Sequence, residues 1–148
     1  MRALIQRVSH AEVSVAGERV AAIQRGILAL IGVEAGDDAA RSSRLLERLL
    51  TYRIFPDGEG RMNLSVTDIA GGLLLVPQFT LAADTRKGTR PGFSTAAPPD
   101  AARALFEALV GDAQGRHPAV AAGRFGADMQ VSLTNDGPVT FLLETRDR

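Results

Sequence analysis

The chain has 148 residues, of which 45% are hydrophobic and 23% charged. That length suits one domain over 1–148, able to bury roughly 68–70% of its unfolded surface without a disulfide or structural metal. Lys+Arg and Asp+Glu both number 17, so the net charge is zero. This argues against a whole-surface grip on nucleic acid and leaves only a local patch for that role. The absence of cysteine excludes a disulfide scaffold, a thiol nucleophile and thiolate metal sites. With two histidines, a multi-histidine metal centre is not expected, and no cofactor is implied.

Met1 to Val8 has no apolar h-region, and the runs Ile27–Val33 and Leu73–Val76 fall far short of a membrane span. A soluble, cytoplasmic protein is the expectation. Sixteen arginines accompany a single lysine, Lys87. Arginine suits bidentate phosphate recognition, but a codon bias toward Arg and Ala in a GC-rich genome is the favoured reading of the ratio.

Ala3 to Val8, Glu12–Val15 and Val20–Ile23 read as short strands, with turns at Ala16–Gly17 and Gln24–Gly26. Ile27–Val33 is apolar on both faces, as a central strand requires. Asp37 or Asp38 can cap a helix through Tyr52, with Leu45, Leu49 and Tyr52 on one face. Pro56–Gly60 is a turn, and Gly71–Gly72 leads into a buried strand at Leu73–Val76. The polar stretch Ala82–Pro98 is too long for a plain connector, and such loops are commonly functional. Pro98–Pro99–Asp100 opens a second helix to about Val110. Phe125 to Leu133 alternates strictly as a half-buried strand. Asn135–Pro138 then interrupts it, and Val139, Phe141 and Leu143 form a partner strand. The order predicts an α/β fold, a layered β-β-α sandwich of two sheets with helices on one side.

Thr80 follows a buried strand and precedes the long loop, a common place for ligands. Its hydroxyl needs an activating base. His10 and His117 show no recognisable spacing to it, and both read as solvated residues. No nucleophile elbow, Walker loop or dinucleotide fingerprint is present. Arg86, Lys87 and Arg90 place three cations within five residues, either a phosphate contact or a solvated charged loop. Six Phe, one Tyr and no Trp count against an aromatic platform for single-stranded RNA. Asn135–Asp136–Gly137–Pro138 is a turn on its composition, yet Gly followed by Pro also leaves two bare carbonyls that can approach a ligand closely.

Val76–Leu81, continued by Ala83–Gly88 and Arg90–Pro91, resembles the first signature of the D-aminoacyl-tRNA deacylases. Asn135–Thr140 resembles the second. Ile5–Val8, Tyr52–Phe55, Met62–Leu64 and Gly123–Leu133 also match, so the similarity covers nearly the whole chain. The resemblance implies hydrolysis of the ester joining a D-amino acid, or glycine, to the terminal adenosine of tRNA. It implies a homodimer with the active site at the subunit interface and no cofactor or metal. Gln78, Phe79 and Thr80 would line the catalytic pocket, with backbone N–H groups of Phe79 and Thr80 as oxyanion donors. Gly137–Pro138, held cis, would enter the partner's pocket and reject L-aminoacyl groups. Arg7 would steady that loop, and Asn135 belongs to the same motif. Ala102, Phe125 and Met129 would lie near the adenosine and aminoacyl pocket, and the ribose 2′-hydroxyl would assist the chemistry. Arg86, Lys87 and Arg90 are candidate tRNA contacts. The family usually has Ser where this chain has Pro77. That change leaves open a non-catalytic aminoacyl-tRNA-binding module, and Thr80 leaves open a Thr-dependent esterase.

Overall fold

The computed structural model describes residues 1–145, so 146–148 of the expected domain span lie outside the described residues. Strand β1 (Arg2–Val15) pairs with β2 (Glu18–Ile23) through its second half and with β3 (Gly26–Gly32) through its first. Helix α1 (Ala39–Thr51) follows, then a two-stranded ribbon of β4 (Phe55–Pro56) and β5 (Met62–Leu64). Strand β6 (Gly72–Pro77) runs parallel to β3. A 3-10 turn at Phe79–Ala82, helix α2 (Pro99–Arg116), β7 (Val120–Ala122) and β8 (Met129–Glu144) complete the chain.

The fold is mixed α/β, with a nearly closed sheet and two helices. The strands expected as two sheets form one continuous six-stranded sheet, ordered β2-β1-β3-β6-β7 with β8 on β1. Alternation explains how one sheet makes two cores. Ile27, Ala29, Ile31, Leu73 and Leu75 face the helices and meet Leu45, Leu46, Leu49, Phe106 and Leu109. Leu28, Leu74 and Val76 point the other way and join Val8, Ala11, Val13 and Ile23 inside the curl. Gly123 helps bring the ends of the curl together: a Cβ there would lie 2.8 Å from Met129 Sδ.

Further expectations change. Phe125–Leu133 and Val139–Leu143 are not partners; they are the two parts of one strand, β8, which starts at Met129 and pairs along the length of β1. Phe125 lies before it in a turn with Gly126 at φ +78°. Helix α2 runs past Val110 to Arg116, because Ala102, Phe106, Leu109 and Ala113 continue one buried stripe across Gly111. His117 is not solvated: it is 4% exposed, and its Nε2 lies 2.6 Å from the Gly71 carbonyl, placed there by the longer helix. His10 is exposed, as expected. Asp38 is the α1 cap, accepting from the Arg41 N–H at 2.9 Å. Asp37 instead accepts from the Met1 amino group at 2.7 Å and the Glu34 N–H at 2.6 Å.

Candidate active site

The end of β6 forms one wall of a pocket of about 300 Å³. The Gln78 N–H continues the ladder to Ile31 C=O, while the Leu73 N–H points the opposite way, to Ala119 C=O. Pro77 therefore turns its missing donor toward β7, which has already ended at Ala122 beside Leu75. Proline is tolerated there because no ladder bond is lost. Pro77, Phe79, Ala102, Phe125 and Met129 are among the lining residues, and none of the lining side chains ionises. Ala102 and Met129 come from α2 and β8.

Gln78 and Thr80 are not among the lining residues and sit where the chain leaves β6, Gln78 half-buried and Thr80 exposed. The Gln78 Nε2 donates to the Thr80 Oγ1. The Leu81 N–H makes the first bond of the 3-10 turn, to Gln78 C=O, so the amides of Phe79 and Thr80 precede it. His117 is held at Gly71, at the opposite end of β6, and His10 lies against Thr134 and Ser9. Neither histidine therefore pairs with Thr80.

The Asn135–Pro138 motif is a bulge and not a hairpin turn. Gln6 pairs with Thr140 and Val8 with Asn135, so Arg7 alone on β1 faces residues 136–139 on β8. Four residues against one push the segment out of the sheet. The Asn135 Oδ1 accepts from the Val139 N–H at 3.0 Å, and its Nδ2 donates to Thr140 Oγ1 at 2.9 Å. The Arg7 Nε donates to the Asp136 carbonyl at 3.0 Å while its Nη1 donates to the Ile54 carbonyl at 2.7 Å. Gly137–Pro138 is a cis peptide, and Asp136, Gly137 and Pro138 are exposed. Gly137 has φ +138°, and a Cβ there would come within 2.6 Å of Val139 Cγ2. Residues 129 and 138 are nine positions apart on β8. Because the bulge faces Arg7 and Met129 pairs with Val15, they stand eight positions apart along β1, up to ~26 Å of strand at ~3.3 Å per residue.

The cationic loop is closed by two backbone bonds between Asp84 and Gly92, 2.7 and 2.9 Å. Arg86 reaches back, and its Nε and Nη2 donate to the two Asp84 carboxylate oxygens at 2.9 and 2.8 Å. These bonds hold the Asp84 carboxyl down at about 2 and raise the Arg86 guanidinium. Arg86 is thus occupied, whereas Lys87 and Arg90 project without an ion-pair partner among the described residues. Phe93 follows the cationic run in the sequence, where a polar context hides what its ring meets. It is 44% exposed and its ring centroid is 5.4 Å from that of Phe79. The Ile54 carbonyl was also missed, since backbone acceptors carry no sequence signal.

An apolar pocket without ionising walls, beside a cluster of backbone amides, suits a hydrolase that works by placement and main-chain donors. The comparisons agree with that class. The chain belongs to the D-Tyr-tRNA(Tyr) deacylase family, whose model matches residues 4–144. A D-aminoacyl-tRNA deacylase of Azotobacter vinelandii is 65% identical over 97% of this chain and 99% of its own. One from Methylococcus capsulatus is 64% identical over 97% and 94%. The solved structure titled c-Myc DNA Unwinding Element Binding Protein superposes with a TM-score of 0.95 at 36% identity, covering 99% of this chain and 100% of that one. A probable eukaryotic D-amino acid tRNA deacylase shares the fold, with a TM-score of 0.81 at 18% identity over 96% of this chain and 97% of its own.

Proposed function

We propose that this protein hydrolyses the ester linking a D-amino acid, or glycine, to the terminal adenosine of tRNA, including glycine mischarged on alanine tRNA. The observation that carries the reading is the Gly137–Pro138 bulge, exposed and held from both sides by Arg7 and Asn135. Its carbonyls occupy the space an L side chain would need. A D side chain points away and glycine has none, so rejection needs no titratable group.

The site works as a homodimer in this reading. Up to ~26 Å of strand separates bulge and pocket within a protomer, and in this reading the bulge serves the pocket of a second copy. Among the described residues strand β8 is paired only with β1, and it exposes Phe141 and Leu142, at 37% and 48%, apolar surface that a second copy would cover. The adenosine occupies the pocket between Phe79, Ala102, Phe125 and Met129. Water adds to the ester carbonyl, and the amides of Phe79 and Thr80 stabilise the oxyanion. The C–O bond then breaks, the ribose oxygen takes the proton, and the ribose 2′-hydroxyl assists in place of a protein base. The setting is the cytoplasm. Among the described residues no helix is long and apolar enough to cross a membrane.

Single-turnover hydrolysis of D- and L-tyrosyl-tRNA tests the reading. The D form is cleaved and the L form is spared; equal rates would remove the filter, and no D cleavage would remove the enzyme. Pro77 favours a second reading, an aminoacyl-tRNA-binding module without turnover. Retained aminoacyl-tRNA binding with no turnover would support that second reading, and a hundredfold gain in Pro77→Ser would show that this chain is an impaired enzyme.

A further inference from the structure

The loop from Asp84 to Ser94 encloses a cleft of about 450 Å³, lined by Arg86, Lys87, Arg90 and the backbone of Gly92. Its cations are not equivalent. Arg86 is spent on Asp84 through two side-chain bonds, which leaves Lys87 and Arg90 as the available positive charge. Phe93 sits between Gly92 and Ser94, both of which line this cleft, and its ring touches Phe79, which lines the apolar pocket. The cationic cleft and the pocket are therefore joined through a pair of exposed rings, at 61% and 44%. Large rings are seldom left so exposed side by side without a partner.

Available cations beside an exposed aromatic face are the chemistry of single-stranded nucleic acid recognition: the backbone follows the charge and a base stacks on the ring. A duplex would have no use for the ring, because its bases are already stacked. We propose that the nucleotide preceding the terminal adenosine stacks its base on Phe93 while its phosphate lies between Lys87 and Arg90. Arg86 is a positioning residue here: clamped to Asp84, it shapes the loop that presents the other two cations. This rests on the deacylase reading for the place of the terminal adenosine, and it adds a second subsite that no ester chemistry requires.

Fluorescence anisotropy with a labelled 3′-CCA oligoribonucleotide, against titration with adenosine alone, tests it without any turnover. In Phe93→Ala the dissociation constant for the oligonucleotide rises roughly tenfold, the order of one lost stacking contact, and Phe93→Tyr restores it. In Lys87→Ala/Arg90→Ala it rises similarly, and the slope of log K against log salt flattens by about 0.7 for each phosphate released. Adenosine affinity changes less than twofold in each case. Unchanged oligonucleotide binding in either variant overturns the proposal, as does a loss equally large for adenosine, or a wild-type protein that does not bind the oligonucleotide. Failure of the deacylase reading is separate: it would appear as intact D-tyrosyl-tRNA after incubation with wild-type protein, whatever the anisotropy shows.

Discussion

Arg7 joins two carbonyls that are distant in sequence, Asp136 in the bulge and Ile54 after α1. A lysine cannot reproduce two diverging N–H donors from one planar group. Arg7→Ala and Arg7→Lys should both lower D-tyrosyl-tRNA hydrolysis at least tenfold, measured in single turnover, with secondary structure by circular dichroism intact. Thr80 makes the opposite case. Its hydroxyl accepts from Gln78, and no imidazole is in place to deprotonate it. Thr80→Ala should cost less than tenfold in rate, whereas a nucleophile would lose several orders of magnitude. Asp84 supplies the pH prediction. Its folded pKa is about 2, below the ordinary value of 3.8. A depressed carboxylate contributes stability above its unfolded pKa and loses it as pH falls through the folded one. The Arg86 clamp should therefore persist on acidification until the pH approaches 2. An NMR titration of the Asp84 carboxyl should show that midpoint, and Arg86→Ala should move it back toward 3.8.

At the scale of elements, α1 was legible to within one residue of its cap, which the sequence left open between Asp37 and Asp38. Asp38 alone satisfies the Arg41 N–H, and Leu45, Leu46, Leu49 and Leu50 are buried on one face. Asp38→Ala should cost about 1 kcal/mol in urea unfolding, the usual value of a lost N-cap. Leu49→Ala, at a fully buried position, should cost about 2–5 kcal/mol by the same measurement. Strand β8 was legible only in part. Asn-Asp-Gly-Pro has turn chemistry, so local reading breaks the strand there. The partner strand overrides it: β1 pairs on both sides of the interruption, and a four-for-one bulge takes up the extra residues. Likewise Gly111 reads as a helix end, yet Ala113 is fully buried and the packing carries α2 on to Arg116.

At the scale of the molecule, bulge and pocket lie at different places on a single nearly closed sheet, and the dimeric reading gives each protomer half of the proposed site. Sedimentation velocity should give a species of twice the protomer mass. Activity per protomer should fall on dilution below the dimer dissociation constant. A fully active monomer would remove the shared site while leaving the family intact.

Sequence by itself determined the buried strands, the first helix, the lack of thiol chemistry, and the two motifs that carry the resemblance. These follow from periodicity, composition and local order, which act between near neighbours in the chain. Only the tertiary structure decided that His117 is buried, that Arg7 faces the bulge, that Arg86 is spent on Asp84, and that Phe93 leans on Phe79. Each of these depends on where a carbonyl, a carboxylate or a second ring comes to rest once the sheet has curled. Backbone oxygens and ring separations leave no trace in the identity of the residue that meets them.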